Sequence, residues 1–325
     1  VRRLLPIRLS ASPVAALLAF LALAAVPARA DHRTRAARLK IPADAQKALD
    51  AIYSGNAPQG VSLARSFEQV QPQNPLGYLL EGEALWWERY CAACEIRYGM
   101  VEAWRHDKQR DDRAYLALAD KAIQLARAQL SIANTPVMHF YAGMGYALKV
   151  RMYGLRGENR AAAKAAVAAR SEMLAALKLD PQMADATAAM GLYNYYVDTL
   201  SPIVKFLRFL MGIPGGDKAT GVQQMKIGMT QGQMLAVDVR FILARALRQY
   251  DHKYADALSI AQPLVERYPR NPMFLLLVGN LNAELGRNAQ ARQYFRAVEQ
   301  LPAAPASPCL AHARDLARSF SASLP

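Results

Sequence analysis

Cys91-Ala-Ala-Cys94 is the pair in this sequence best spaced for chemistry. Two thiols three residues apart suit redox exchange when the first opens a helix, where the helix dipole lowers its pKa. Here the pair follows Leu85-Trp86-Trp87-Glu88-Arg89-Tyr90, inside or near the end of a long helical segment. Glu95 follows Cys94, where covalent haem attachment requires histidine. A zinc centre needs four ligands, and neither a second CxxC nor a histidine pair exists. The readings left are a disulfide, buried thiols, or a redox or metal role. A disulfide would join Cys91 to Cys94, or leave one of the two thiols to meet Cys309.

The other reactive residue types are more dispersed. His32, His106, His139, His252 and His312 are never four apart, and neither HExxH nor GxSxG occurs. His139 beside Phe140 and Tyr141 reads as a packed residue. Glu81 and Glu88 lie two turns apart on one helix face, with Glu83 between them, a spacing open to acid–base work but more simply that of a polar groove lining. Gly212-Ile-Pro-Gly215-Gly216-Asp217-Lys218 lacks the GxxxxGK[ST] order and the preceding strand of a phosphate loop. It reads as a helix stop at Gly216 and a helix cap at Asp217. No catalytic set, metal or cofactor is therefore expected.

The elements that would carry these residues are helical almost throughout. Tyr254, Ala257, Leu258, Ala261, Leu264, Val265 and Tyr268 form one stripe of an α-helix, with Pro263 inside the segment as an expected kink. Sustained alternation is missing and β-branched runs are few. Helices are predicted over 43–54, 57–70, 75–104, 111–131, 136–153, 159–179, 182–198, 201–211, 217–229, 233–250, 253–267, 272–285, 288–300 and 308–322, separated by Gly and Pro breakers.

Two regularities suggest repeats. Val239–Pro269 overlies Met273–Ala303 at an offset of 34, matching Phe241 to Leu275, Leu247 to Leu281 and Ala257 to Ala291. Pro75, Pro136 and Pro272 each precede a glycine by seven residues (Gly82, Gly143 and Gly279), and Gly191 takes the same place after Asp180-Pro181. Helical glycine costs about 1 kcal/mol relative to alanine, so its recurrence implies close helix crossings.

On these residues the chain resembles the tetratricopeptide repeat superfamily. The last full repeat of the chain matches the family pattern best, with small Gly279 and Ala291 and aromatic Phe295, and Pro269-x-Asn271 matches the turn that leads into it. Residues 200–221, from Leu200-Ser-Pro202 through Lys205-Phe206-Leu207 to Gly215-Gly216-Asp217 and Gly221, are similar to the tetratricopeptide family linked to the mitochondrial outer membrane and inclusion-body clearance. The resemblance implies an all-α, right-handed superhelix of about six helix pairs, with an insert near 200–216. It also implies that the first helix of each pair lines a concave groove. Carried over by offset, groove positions are Glu83, Trp86, Trp87, Leu192, Tyr195, Tyr196, Ala246, Tyr250 and Asn280. Trp and Tyr suit recognition because they bury a large area and keep a polar handle. A core role for the Trp86-Trp87 pair is the competing reading.

Compartment and partner class come from the ends of the chain and its charge. Arg2, Arg3 and Arg8 precede an apolar stretch from Val14 to Val26, and Ala28-Arg29-Ala30 is a small-x-small site before Asp31. This order reads as a cleaved signal over residues 1–30. The expected layout is then a tail at 31–42, the repeat domain at 43–301 and a linker with a capping helix at 302–325. The formal charge of +14 over 325 residues falls to +10 without the four arginines of the signal. Basic residues are scattered among acidic ones, which argues against nucleic acid. The expectation is an exported, periplasmic or secreted scaffold that is not an enzyme and that holds a protein or peptide in its groove. The main alternative is a membrane-surface adaptor acting through the basic apolar helix 201–211. A thiol-redox protein using Cys91 and Cys94 is a more distant one.

Overall fold

The computed structural model describes residues 39–93, 112–199, 214–302 and 307–325. The segment predicted as a signal, Cys94 and the predicted helix 201–211 lie outside the described residues. Within them stand thirteen α-helices and no strand. They are α1 (Ala43–Tyr53), α2 (Ala57–Val70), α3 (Pro75–Ala93), α4 (Asp112–Leu130), α5 (Pro136–Leu155), α6 (Asn159–Leu179), α7 (Ala184–Thr199), α8 (Lys218–Gln231), α9 (Ala236–Gln249), α10 (Tyr254–Arg267), α11 (Pro272–Glu284), α12 (Asn288–Glu299) and α13 (Pro308–Ala322).

Local chemistry starts and stops these helices. Asn56, Thr135, Asp217, Asn271 and Ser307 each cap the helix that follows by accepting a backbone N–H of its first turn. Proline occupies the first turn of α2, α5, α11 and α13, where a missing N–H costs nothing. Asp217 caps α8 as the sequence predicts, and hydrogen bonds from Thr220 hold its carboxyl below the usual range. In α10 the predicted stripe is buried at Ala257, Ala261, Leu264 and Val265, and Pro263 is accommodated inside the helix.

Consecutive helices pack on one another along the whole described chain. The odd-numbered helices also meet each other: α1 touches α3, α3 touches α5, α7 touches α9, and α9 touches α11. The even-numbered helices make their principal contacts with the helices before and after them. The main contacts that skip a neighbour in this array therefore run between odd-numbered helices. The two ends of the array come together, because α13 packs against both α11 and α3. Asn271 of the α10–α11 turn donates to the Tyr53 carbonyl at 2.9 Å, and Tyr268 donates to Asp50 at 2.9 Å, tying α1 to the C-terminal helices. Asp185 of α7 accepts the N–H groups of Gln233, Met234 and Leu235, pinning the entry to α9 from outside its own chain segment. Burial nonetheless raises its pKa.

The recurrent glycines sit at tight crossings, but of two kinds. A Cβ on Gly191 would lie 2.8 Å from the Gly221 carbonyl oxygen and 2.8 Å from the Met225 nitrogen, so α7 and α8 do meet backbone to backbone. At Gly82, Gly143 and Gly279 the obstacle is instead a side chain: Leu148, Met173 and Phe295. The reason expected from sequence thus applies to one of the four. Gly191→Ala should lower stability by about 1–3 kcal/mol, because a helix must shift to admit the methyl group. Gly143→Ala should be nearly neutral, since the end of Met173 swings aside and alanine favours the helix by roughly 1 kcal/mol. Thermal melts of the two variants test the ranking; equal losses would mean that α7 and α8 do not cross there.

Candidate functional site

The predicted groove residues do not share one surface. Glu83, Trp86 and Trp87 lie inside the core, Tyr195 is fully buried, and Tyr196 and Tyr250 are half-buried beside it. Asn280 is buried against a different wall. The physical reason is ring closure: the inner faces of the odd helices, which an open array would show to solvent, meet one another.

Around α3 this produces an aromatic cluster. The Trp87 ring is 5.8 Å from Tyr53, 5.2 Å from Phe241 and 5.7 Å from Phe274, which brings α1, α3, α9 and α11 onto one side chain. Trp86 stacks on Tyr90 at 5.8 Å and lies under the Arg151 guanidinium at 5.5 Å. A second cluster joins Tyr195 to Tyr196 and Tyr250, with the Lys218 ammonium over the Tyr195 ring and bonded to Asp251.

A polar hub lies against the first cluster. Arg151 of α5 donates to Glu83 of α3 at 2.6 Å, and the Tyr53 hydroxyl of α1 donates to Asp238 of α9 at 2.6 Å. Glu83 and Asp238 are 1% and 3% exposed, and the two carboxyl groups interact directly. Burial first, and the Glu83 charge second, push the Asp238 carboxyl up to about 8. Asp238 therefore keeps its proton at neutral pH, in contact with the Glu83 carboxyl. Burial alone would depress Arg151, but Glu83 and Asp238 outweigh it and its net direction is upward. Burial raises Tyr53 well above the usual phenol, with the Asp238 charge adding to it. Tyr53, Arg151 and Asp238 were not among the predicted site residues. A signal existed for Asp238, which sits with Phe241, Ile242 and Arg245 at i, i+3, i+4 and i+7, the buried stripe of α9.

The three glutamates of α3 diverge. Glu81 turns to Arg65 at 2.7 Å and to Glu68, Glu83 enters the hub, and Glu88 accepts from Ser307 at 3.1 Å. They form no mutual acid–base set. Beside Glu81, burial and the second carboxyl push Glu68 up to about 7. His139 bonds Glu172 through Nδ1 at 2.7 Å and Asn134 through Nε2 at 2.8 Å, bridging α5 and α6.

Cys91 is bonded to Cys309. A local Cys91–Cys94 bond is thus replaced by one that joins residues 218 apart in sequence. The reason is again closure, which seats the first turn of α13 on the last turns of α3.

Above this disulfide opens a cleft of about 960 Å³. The α1–α2 turn (Gly55 to Gln59) and Val61 and Leu63 of α2 form one wall, Ser307, Cys309 and Leu310 of α13 another, and Ala84, Leu85 and Glu88 of α3 the base. Gly55, at φ 80°, brings this turn so close to Pro272 that a Cβ would sit 3.1 Å from its ring. Among the described residues no cluster of His, Cys, Asp or Glu is arranged to hold a metal ion, and no helix is long and apolar enough to cross a membrane. Comparison with protein-family models and with curated proteins finds no match.

Proposed function

We propose that this protein is a helical-repeat scaffold of the tetratricopeptide type, a right-handed superhelix of six helix pairs with α13 as a terminal cap, which binds an extended segment of a partner protein. The cleft between the α1–α2 turn and α13 carries this reading. With about 960 Å³ it has room for a peptide segment, and it mixes apolar side chains with turn backbone. The expected inner groove is filled, so the binding surface moves to the place where the two ends of the array meet. Residues at such a seam belong to loops and helix starts, the parts of a rigid scaffold that tolerate variation and carry recognition.

We also propose export to an oxidising compartment. The Cys91–Cys309 bond supports it, because structural disulfides persist in such compartments and are rare in the cytosol. Peptides selected by display against the intact chain test the binding reading, with Leu63→Glu as the counter-selection. Enrichment on the parent protein and not on the variant, with unchanged circular dichroism, is the expected result. Equal enrichment on both would remove the cleft as the binding surface.

A further inference from the structure

We infer that the Cys91–Cys309 bond is a one-way oxidative latch on the cleft: the wall formed by α13 is fixed in place in the oxidised chain alone. As regulation of binding this rests on the peptide-binding reading above. The closing of the wall itself can be measured without any ligand.

The bond lies where wall meets base. The start of α13 supplies Ser307, Cys309 and Leu310 to the cleft, and α3 supplies Ala84, Leu85 and Glu88. Cys91 stands one turn beyond Glu88 on α3, so the bond ties one lining directly to the other. Among the described residues, the polar tie beside it is the hydrogen bond from Ser307 to Glu88 at 3.1 Å. In the first turn of α13 the buried side chains are Cys309 itself and Leu310. The other ties of α13 come later along the helix. Arg314 donates to the Leu301 carbonyl, Leu316 is buried, and Phe320 meets Phe295 edge-on at 5.5 Å. Arg292 holds the far end through the Leu324 and Pro325 carbonyls. Without the disulfide the later turns of α13 stay docked, and its start, which is the wall, comes away.

The surroundings of the bond oppose its reopening. Cys91 and Cys309 are 2% and 7% exposed, so an attacking thiolate reaches neither sulfur until the site opens locally. Glu88 bounds the same void of about 10 Å³ as both cysteines. A carboxylate beside a thiol disfavours the thiolate, the form in which either sulfur has to leave. A reversible redox sensor needs the opposite setting, an accessible sulfur in electropositive surroundings.

Closure takes place with the start of α13 undocked, and its oxidant is a low-molecular-weight disulfide such as oxidised glutathione. The Cys309 thiolate attacks one sulfur of that disulfide and releases the first thiolate. The Cys91 thiolate then attacks Cys309 Sγ in the mixed disulfide and releases the second. Two protein thiols give up two protons and two electrons, and one small disulfide becomes two thiols.

Hydrogen–deuterium exchange on the full chain carrying Cys94→Ala tests the latch, since Cys91 and Cys309 are then its two cysteines. Amides of residues 309–313 should exchange at least about tenfold faster after reduction with dithiothreitol, with those of α5 and α6 unchanged. A Cys309→Ser chain should show the same without reductant, and reoxidation by oxidised glutathione should restore protection. A display-selected peptide should lose about tenfold in affinity on reduction and regain it on reoxidation. Glu88→Gln should speed reduction several-fold; an unchanged rate overturns the one-way character. Equal protection of residues 309–313 in oxidised and reduced chains overturns the latch. Loss of protection throughout, α5 and α6 included, also overturns it, because the bond would then hold the whole fold. A display selection that yields no cleft peptide removes the binding reading and with it the regulation, while exchange still decides whether the wall is latched.

Discussion

Trp87→Ala should destabilise this protein by about 3–5 kcal/mol, the range for removing a large aromatic from a packed core. The indole touches Tyr53, Tyr90, Phe241 and Phe274, residues of four different helices. All four helices present a side chain to this one ring, so its removal leaves a space that no single helix can fill by itself. A melting temperature lower by on the order of ten degrees is expected in thermal unfolding. Tyr196→Ala, at a half-buried position, should cost clearly less. If Trp87→Ala melts like the parent chain, the ring is not core, and the open groove expected from sequence regains its place.

Asp238→Asn should change how stability depends on pH. The folded carboxyl is pushed up to about 8, against about 3.9 for an unfolded aspartate. A group whose folded pKa is raised binds its proton more tightly in the native state. Its contribution is complete below about pH 4 and is lost as pH rises through about 8. Between those limits the parent chain should lose melting temperature as pH increases. Asparagine imitates the protonated carboxyl: its oxygen accepts from Tyr53 and its amide donates to Glu83. The variant should melt at a higher temperature than the parent at pH 8 and show a flatter profile, the difference vanishing near pH 4. Melts across this range read the difference directly. A variant that retains the full slope would show that the slope does not come from Asp238.

Helix positions were legible because each depends on nearby residues. Asn271 caps α11 and Pro272 opens it, and the pair stands in the sequence as written. Asp217 before α8 is equally local. The candidate site was not legible for the opposite reason. Which face of α3 meets solvent depends on where α9, α11 and α13 arrive, and no pattern within 75–93 encodes that. Trp86 and Trp87 therefore admit both readings, core being the commoner for such a stripe, until Phe241 and Phe274 are seen against Trp87. The partner of Cys91 was open in the same way, because spacing favours Cys94 while folding brings Cys309. Asp238, Arg245 and Arg248 on the buried stripe of α9 were the missed clue, since charged groups on such a stripe announce a polar interior.

Ring closure also bears on the order in which the chain can finish folding. In an ordinary repeat array each unit contacts only its neighbours, so early repeats are complete as soon as they are made. Here Tyr53 finds its acceptor 185 residues downstream, and Cys91 waits 218 residues for Cys309. During synthesis the first three helices must persist with Trp87 and Glu83 of α3 lacking their final neighbours, exposing apolar surface that invites association with other chains. Such long-range pairings slow folding, because their loop-closure entropy is lost before the contacts that reward it form. The last helix thus acts as a completion signal: until α13 arrives, neither the cleft nor the interior beneath α3 exists in its final form.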